Sequence, residues 1–328
     1  LKFSKHFYHN MINLIKILVT KLKELFISKE LRLLDNTLIL QAKLYEKSFF
    51  KNKINSLSEA EFSVYSQFGE DGILSYLIHV IPNMHRSFIE FGVQDYFESN
   101  TRYILQSKNW DGLIIDGSQD NISKIKSSNL FWKHDLEALC LFITKDNINT
   151  TLKKFSHHVG ILSIDIDGND YWVWDSIVDV EADIVVVEYN SLLGDQLSIT
   201  VPYSTNFDRK SSNYSHLYFG CSIQSLIKLG KDKGYIFLGT SSNGINAFFV
   251  KEKFSQYFPP DFKRVIHRAK VRESRDMRGK LSHFCFKSSY DYIQKEYFFC
   301  TKESKTIKCP EPSELYSEEW VNVGFVEL

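Results

Sequence analysis

Residues 161–174 read ILSIDIDGNDYWVW. The apolar run ILSI meets three carboxylates, Asp165, Asp167 and Asp170, set around one glycine, and large aromatics follow at once. Carboxylates are costly to desolvate unless something pairs with them, so this reads as a buried strand with a polar end. Such an end is either a capped turn or a site.

The neighbouring sequence repeats the pattern. RSFIEFGV, GLIIDGS, NLFWKHD and ADIVVVEYN read as further buried strands, and between the five lie the helix-like segments ESNTRYILQSK, QDNISKIKSS, KDNINTTLKKFS and NDYWVWDSIVD. Such alternation implies a parallel sheet covered on both faces. LYFGCSIQSLIKLGKDKGY then reads as a helix ending at Gly234, and YIFLGT and INAFFVKE, joined by SSNG, as a hairpin. The expected fold is α/β: a doubly wound, mostly parallel, seven-stranded Rossmann-like sheet with an antiparallel edge hairpin. Residues 56–251 form that domain. Residues 1–55 form a helical N-terminal extension, and residues 252–328 an irregular C-terminal extension on the substrate side.

Composition narrows the partners. With 40 Lys+Arg against 40 Asp+Glu the net charge is zero, which gives no reason to expect nucleic acid. The five cysteines are odd in number and contain no CxxC pair, which points to a reducing, cytoplasmic setting rather than a zinc ribbon or disulfide scaffold. No apolar run approaches the length of a spanning helix, and no signal-peptide layout is visible. Residues 1–55 carry eleven basic against four acidic residues, and Met11, Leu14, Ile15, Leu18, Leu22, Leu25 and Phe26 recur at helical spacing. That segment fits a membrane-surface helix, a docking arm for another subunit such as a second copy, or a helix packed on its own domain.

Ligands of open parallel sheets bind beyond the carboxyl ends of the strands. Each expected strand stops in an acid there: Glu90 before Gly92, Asp116 before Gly117 and Ser118, His134-Asp135, Asp165 with Asp167, and Glu188 before Asn190. A glycine at the first turn lets the backbone approach a ligand, and an acid one βα unit later suits a ribose diol. If the strands bearing Asp165 and Glu188 are neighbours, Asp165, Asp167, Glu188 and Asn190 meet at one rim. Oxygen ligands of that kind suit Mg²⁺ or another divalent ion. Without a metal, one carboxylate serves as general base. The competing reading makes Asp167-Gly168-Asn169-Asp170 a turn and helix cap.

These motifs together resemble the class I S-adenosylmethionine-dependent methyltransferases, and within them the FkbM-like group associated with O-methylation of sugars. The matching segments are SQFGEDGIL, FIEFGVQDYFESNT, WDGLIIDGS, ILSIDIDGNDYWVW and IVVVEYN, within residues 60–250. The resemblance implies S-adenosylmethionine as cofactor, with Gln67 and Glu70 in a helix closing over it. Glu90, Gly92 and Asn100 would form the first turn, Asp116, Gly117 and Ser118 would hold the ribose, and Asp135 the adenine end. Asp165 would face the methionine moiety and the acceptor. The acceptor is then a sugar, nucleotide-sugar or glycolipid of surface-polysaccharide biosynthesis. One departure stands out: the family pattern is close to E-x-G-x-G-x-G, whereas Gln94 and Tyr96 occupy two of the glycine positions here. Side chains there either obstruct the cofactor or hydrogen-bond it.

If methyl transfer holds, Asp165 or Glu188 is the base candidate, with His216 a second. The loop holding Tyr203 and Arg209 is the expected acceptor lid. Arg264, Arg268, Arg272 and Arg275 recur at helical spacing, so Arg268 and Arg272 are candidates to grip phosphate, against the plainer reading of an ion-paired surface helix. Two other functions fit the same residues: a methyltransferase-fold subunit without catalysis, and a transferase holding a metal or nucleotide.

Overall fold

The computed structural model describes residues 33–155 and 157–328, and the chain divides into two units, Leu1–Lys51 and Asn52–Leu328. In the first unit residues 33–49 are helical. The amphipathic pattern of residues 11–26 lies outside the described residues. Among the described residues no helix is long and apolar enough to cross a membrane.

Among the described residues, twelve strands shape the second unit: β1 Ser87–Phe91, β2 Asp111–Asp116, β3 Leu136–Cys140, β4 His158–Ile164, β5 Glu181–Glu188, β6 Ile199–Thr200, β7 Tyr235–Thr240, β8 Asn246–Lys251, β9 Val265–His267, β10 Tyr297–Cys300, β11 Lys305–Lys308 and β12 Phe325–Glu327. Seven of them form the main sheet in the order β3-β2-β1-β4-β5-β8-β7. The five on the β3 side are parallel, and β8 runs antiparallel to both β5 and β7. This is the doubly wound, mostly parallel sheet with an antiparallel edge hairpin that the sequence implies. β5 shows why: its EADIVVVE is β-branched and buried from Ala182 onward, as a strand covered on both faces must be. Trp174, on the helix Asp170–Ser176, packs on Phe249 of β8 at a centroid distance of 5.0 Å. Each such buried side chain contributes about 1.5–3 kcal/mol.

The structure corrects two expectations. NLFWKHD is not a strand; Asn129–Lys133 is helical, and β3 begins at Leu136, opposite Gly112 of β2. Asp135 therefore stands at the amino end of β3, away from the ligand-binding edge, because pairing with β2 sets the register rather than local composition. The arginine segment is not helical either. Val265–His267 pairs antiparallel with β12, Ile266 opposite Val326, and the following residues are irregular up to the bridge at Arg275. Cross-strand burial of Ile266 overrides the helical spacing, so Arg264, Arg268, Arg272 and Arg275 share no helix face.

Candidate active site

The strand order reverses between β1 and β4, and at such a switch point an open α/β sheet leaves a crevice. Gly92 directly follows β1 there at φ +75°, and a Cβ built on it would lie 1.6 Å from the Asp165 carbonyl oxygen beyond β4. Only glycine permits that approach in that conformation. Two residues earlier, Glu90 is buried and accepts from Ser99 Oγ at 2.6 Å, from Asn100 N–H at 2.8 Å and from both the N–H and hydroxyl of Thr101. Burial raises its pKa while these donors oppose the rise. Glu90 thus ties the 99–101 turn, and with it Asn100, to the crevice wall; Asn100 also donates to Ser163 Oγ at 3.1 Å.

The glycine departures resolve differently. Gln94 and Tyr96 both adopt the left-handed conformation, φ +50° and +62°, so the backbone keeps the path that glycines would take. The Tyr96 ring is buried, with its hydroxyl 2.9 Å from Thr101 Oγ1, and leaves the crevice clear. Gln94 is exposed, and its side chain borders three adjoining pockets of about 300, 470 and 470 Å³. Its backbone N–H donates to Asp116 Oδ2 at 2.8 Å. Asp116 Oδ1 accepts from Ser118 N–H at 2.8 Å and Asn121 Nδ2 at 3.1 Å. Asp116, Gly117 and Ser118 line the second pocket together with Phe142 and Ile143 from beyond β3.

Asp165 borders all three pockets, and with Asp167 and Glu188 it forms a cluster whose ligand oxygens lie within 4.8 Å of one another. Glu188 ends β5 and is buried, and its Oε2 has no hydrogen-bond partner among the described residues. Burial, then Asp167 and Asp170, push Asp165 well above the usual carboxylate range; burial, then Asp165 and Asp167, do the same to Glu188. The opposing charge is Arg209, from the short helix Arg209–Ser212. Its Nη1 is 2.6 Å from Asp167 Oδ1, its Nη2 meets Glu273, its Nε donates to the His216 carbonyl at 2.8 Å, and its plane lies 3.6 Å over the Phe219 ring. Burial works against its charge, but Glu188, Glu273 and Asp167 outweigh that and hold the guanidinium charged. The His216 imidazole borders the same pocket, with its pKa lowered by burial and by Arg209. Asp170 instead makes the turn: its carboxylate accepts from Ile166 and Gly168 N–H, both at 2.8 Å.

The remaining candidates divide. Gln67, in the turn ahead of the helix Glu70–Val80, borders the crevice and the acid pocket. Glu70 is fully buried beneath it, accepting from Phe68 N–H and Asn246 Nδ2, both at 3.1 Å. Asn190 spends its amide on Leu192 N–H and the Leu217 and Phe219 carbonyls, each at 3.0 Å. Tyr203 bonds Asp146 at 2.7 Å, outside the acid pocket. Arg268 donates to the carbonyls of Trp320 and Val321 at 2.6 and 3.0 Å, while Arg272 lines a separate cavity. Two neighbours of the site escape the sequence. Asn246, buried with an unpartnered Oδ1, faces Glu188 across the antiparallel pair, and Glu273 shares Arg209. Asn246 follows the hairpin turn in SSNGINAFF, which was the one available hint; nothing in the sequence marks Glu273.

No protein-family model and no curated protein matches the chain. Among solved structures, the N-terminal domain of EvdMO1 with SAH bound superposes at TM-score 0.36 and 8% identity, over 66% of this chain and 94% of that one. A S-adenosylmethionine-dependent methyltransferase from Clostridium acetobutylicum ATCC 824 gives 0.35 and 10%, over 64% and 97%. The pyocyanin biosynthetic protein PhzM gives 0.32 and 12%, over 53% of this chain and about half, 52%, of that one. At such scores these likenesses bear on no individual residue.

Proposed function

We propose that the protein is an S-adenosylmethionine-dependent O-methyltransferase that acts on a sugar or glycoconjugate hydroxyl in the reducing cytoplasm. The observation that carries this reading is the crevice at the β1/β4 switch point, where the Gly92 backbone touches Asp165 and three pockets join at Gln94 and Asp165. The donor set fits the cofactor. Asp116 accepts three hydrogen bonds and has lone-pair capacity left for a diol, Leu141 to Ile143 offer an apolar wall beyond β3, and the acids favour a cationic group at Asp165.

S-adenosylmethionine, when bound, would supply a methyl group on a sulfonium as the electrophile, with the thioether as leaving group. The chain's own residues align the acceptor oxygen and take its proton. Asp165 and Glu188, crowded and poorly solvated, are stronger bases than ordinary carboxylates, and Arg209 keeps the cluster from becoming wholly neutral. A divalent ion held by Asp165, Asp167 and Glu188 would help lower the hydroxyl pKa there. The partnerless Glu188 Oε2 also favours a second reading, a metal-dependent transferase that does not use this cofactor.

Calorimetry with S-adenosylhomocysteine, with and without Mg²⁺, tests both. The wild type binds S-adenosylhomocysteine, and Gln94→Gly binds it at least as tightly, because the backbone already follows a glycine path. No binding at millimolar ligand removes the methyltransferase reading. Mg²⁺ binding that survives alone and is lost in Asp165→Ala leaves the second in its place.

A further inference from the structure

Beside the pocket of the acids lies a separate cavity of about 330 Å³, built from the end of β5, the 217–219 loop, the 244–245 hairpin and the segment after β9. Glu188, Ile245, Val271 and Glu273 line both this cavity and the acid pocket, so the two share a wall. The lining is polarised. Glu188 is buried at that wall with one oxygen unpartnered. Lys270 and Arg272 line the cavity too; both are exposed, and neither closes a salt bridge among the described residues. Phe219, Phe284 and Phe286 supply apolar surface. Arg268 is committed to the Trp320 and Val321 carbonyls and lies 4.3 Å over the Phe286 ring, so it builds the wall rather than serving a ligand.

A buried carboxylate oxygen without a donor calls for a hydroxyl. Lys270 feels the charge of Glu61, but neither it nor Arg272 closes a salt bridge among the described residues, and two such cations beside aromatic rings suit an anion attached to a ring or chain. The geometry points to this cavity as the acceptor site, taking a phosphate-bearing sugar with its phosphates at Lys270 and Arg272 and its reactive hydroxyl at Glu188. The hydroxyl's fate rests on the methyltransferase reading; the phosphate subsite does not. The phosphates have two sources, a nucleoside-diphosphate sugar or an isoprenyl-diphosphate-linked sugar.

Titration calorimetry at low and high salt distinguishes the outcomes. The ligands are UDP-glucose, a short isoprenyl diphosphate-linked glucose, methyl glucoside and S-adenosylhomocysteine, tested against wild type and Lys270→Glu/Arg272→Glu. Both charge reversals are at exposed side chains, and circular dichroism checks that the fold is kept. One of the two diphosphates binds wild type, weakens with salt and loses about ten- to a hundredfold in the double variant, and which one binds identifies the source. The neutral glucoside binds far more weakly, and S-adenosylhomocysteine is unaffected by the reversals. If neither diphosphate binds at millimolar concentration, or the double variant binds it equally well, the acceptor assignment is overturned even if S-adenosylhomocysteine binds. If the diphosphate behaves as stated and S-adenosylhomocysteine does not bind, the subsite stands and the methyltransferase reading falls.

Discussion

Gly92→Ala probes the crevice most directly. The new Cβ would sit 1.6 Å from the Asp165 carbonyl oxygen, less than half an ordinary contact, so the ends of β1 and β4 must part by well over an ångström. The residue would also keep φ +75°, which costs a side-chain-bearing residue about 1–2 kcal/mol. Forcing packed backbone apart adds about 1–3 kcal/mol. Gly234→Ala is the matched control: φ is +76°, yet nothing lies within 4 Å of its built Cβ, so only the conformational cost applies. Urea unfolding should therefore find Gly92→Ala less stable than Gly234→Ala by about 1–3 kcal/mol. Because Asp165 moves with its carbonyl, S-adenosylhomocysteine affinity should also fall at least about tenfold in Gly92→Ala alone. If the two variants unfold together and both bind like wild type, the close approach of β1 and β4 is not what shapes the site.

Three further outcomes follow from the same geometry. Burial and the neighbouring acids hold the Glu188 proton above its ordinary value of 4.5, so the native state binds more protons than the unfolded chain and loses stability as pH rises above that value; Glu188→Gln should gain on wild type as pH is raised above 4.5 in urea titrations, and parallel pH profiles would refute the shift. Arg209→Met leaves Asp167 and Glu273 without their cation, but both are about half exposed, so the loss should be only about 1–2 kcal/mol; carbon NMR titration should find Asp165 and Glu188 protonated to higher pH than in wild type, and unchanged titration would separate Arg209 from the acids. Tyr96→Phe removes the hydroxyl at Thr101 and should cost about 1 kcal/mol with S-adenosylhomocysteine affinity unchanged; a loss of affinity would mean that Tyr96 meets the ligand after all.

What the sequence by itself determined is what depends on near neighbours. The β-branched IVVV of β5, the ILSI of β4 and the SSNG turn specify strands and their hairpin, because burial on both faces and turn conformation leave few alternatives. The acids at 90, 116, 165 and 188 stand at strand ends for the same reason, and the sheet gathers them at one edge. Long-range pairing decided the rest. Register with β2 moved Asp135 to the far end of β3, and pairing with β12 made a strand of residues whose arginine spacing suggested a helix. Tertiary structure alone also distinguished acids of similar local sequence: Glu90 is saturated by the 99–101 turn, Asp170 by its own loop, and Glu188 keeps an oxygen with no donor. Donors that arrive from residues distant in the chain, as Arg209 does for Asp167 and Asn246 for Glu70, leave no periodic trace, because hydrogen-bond saturation is a property of the packed site rather than of the segment that carries the acid.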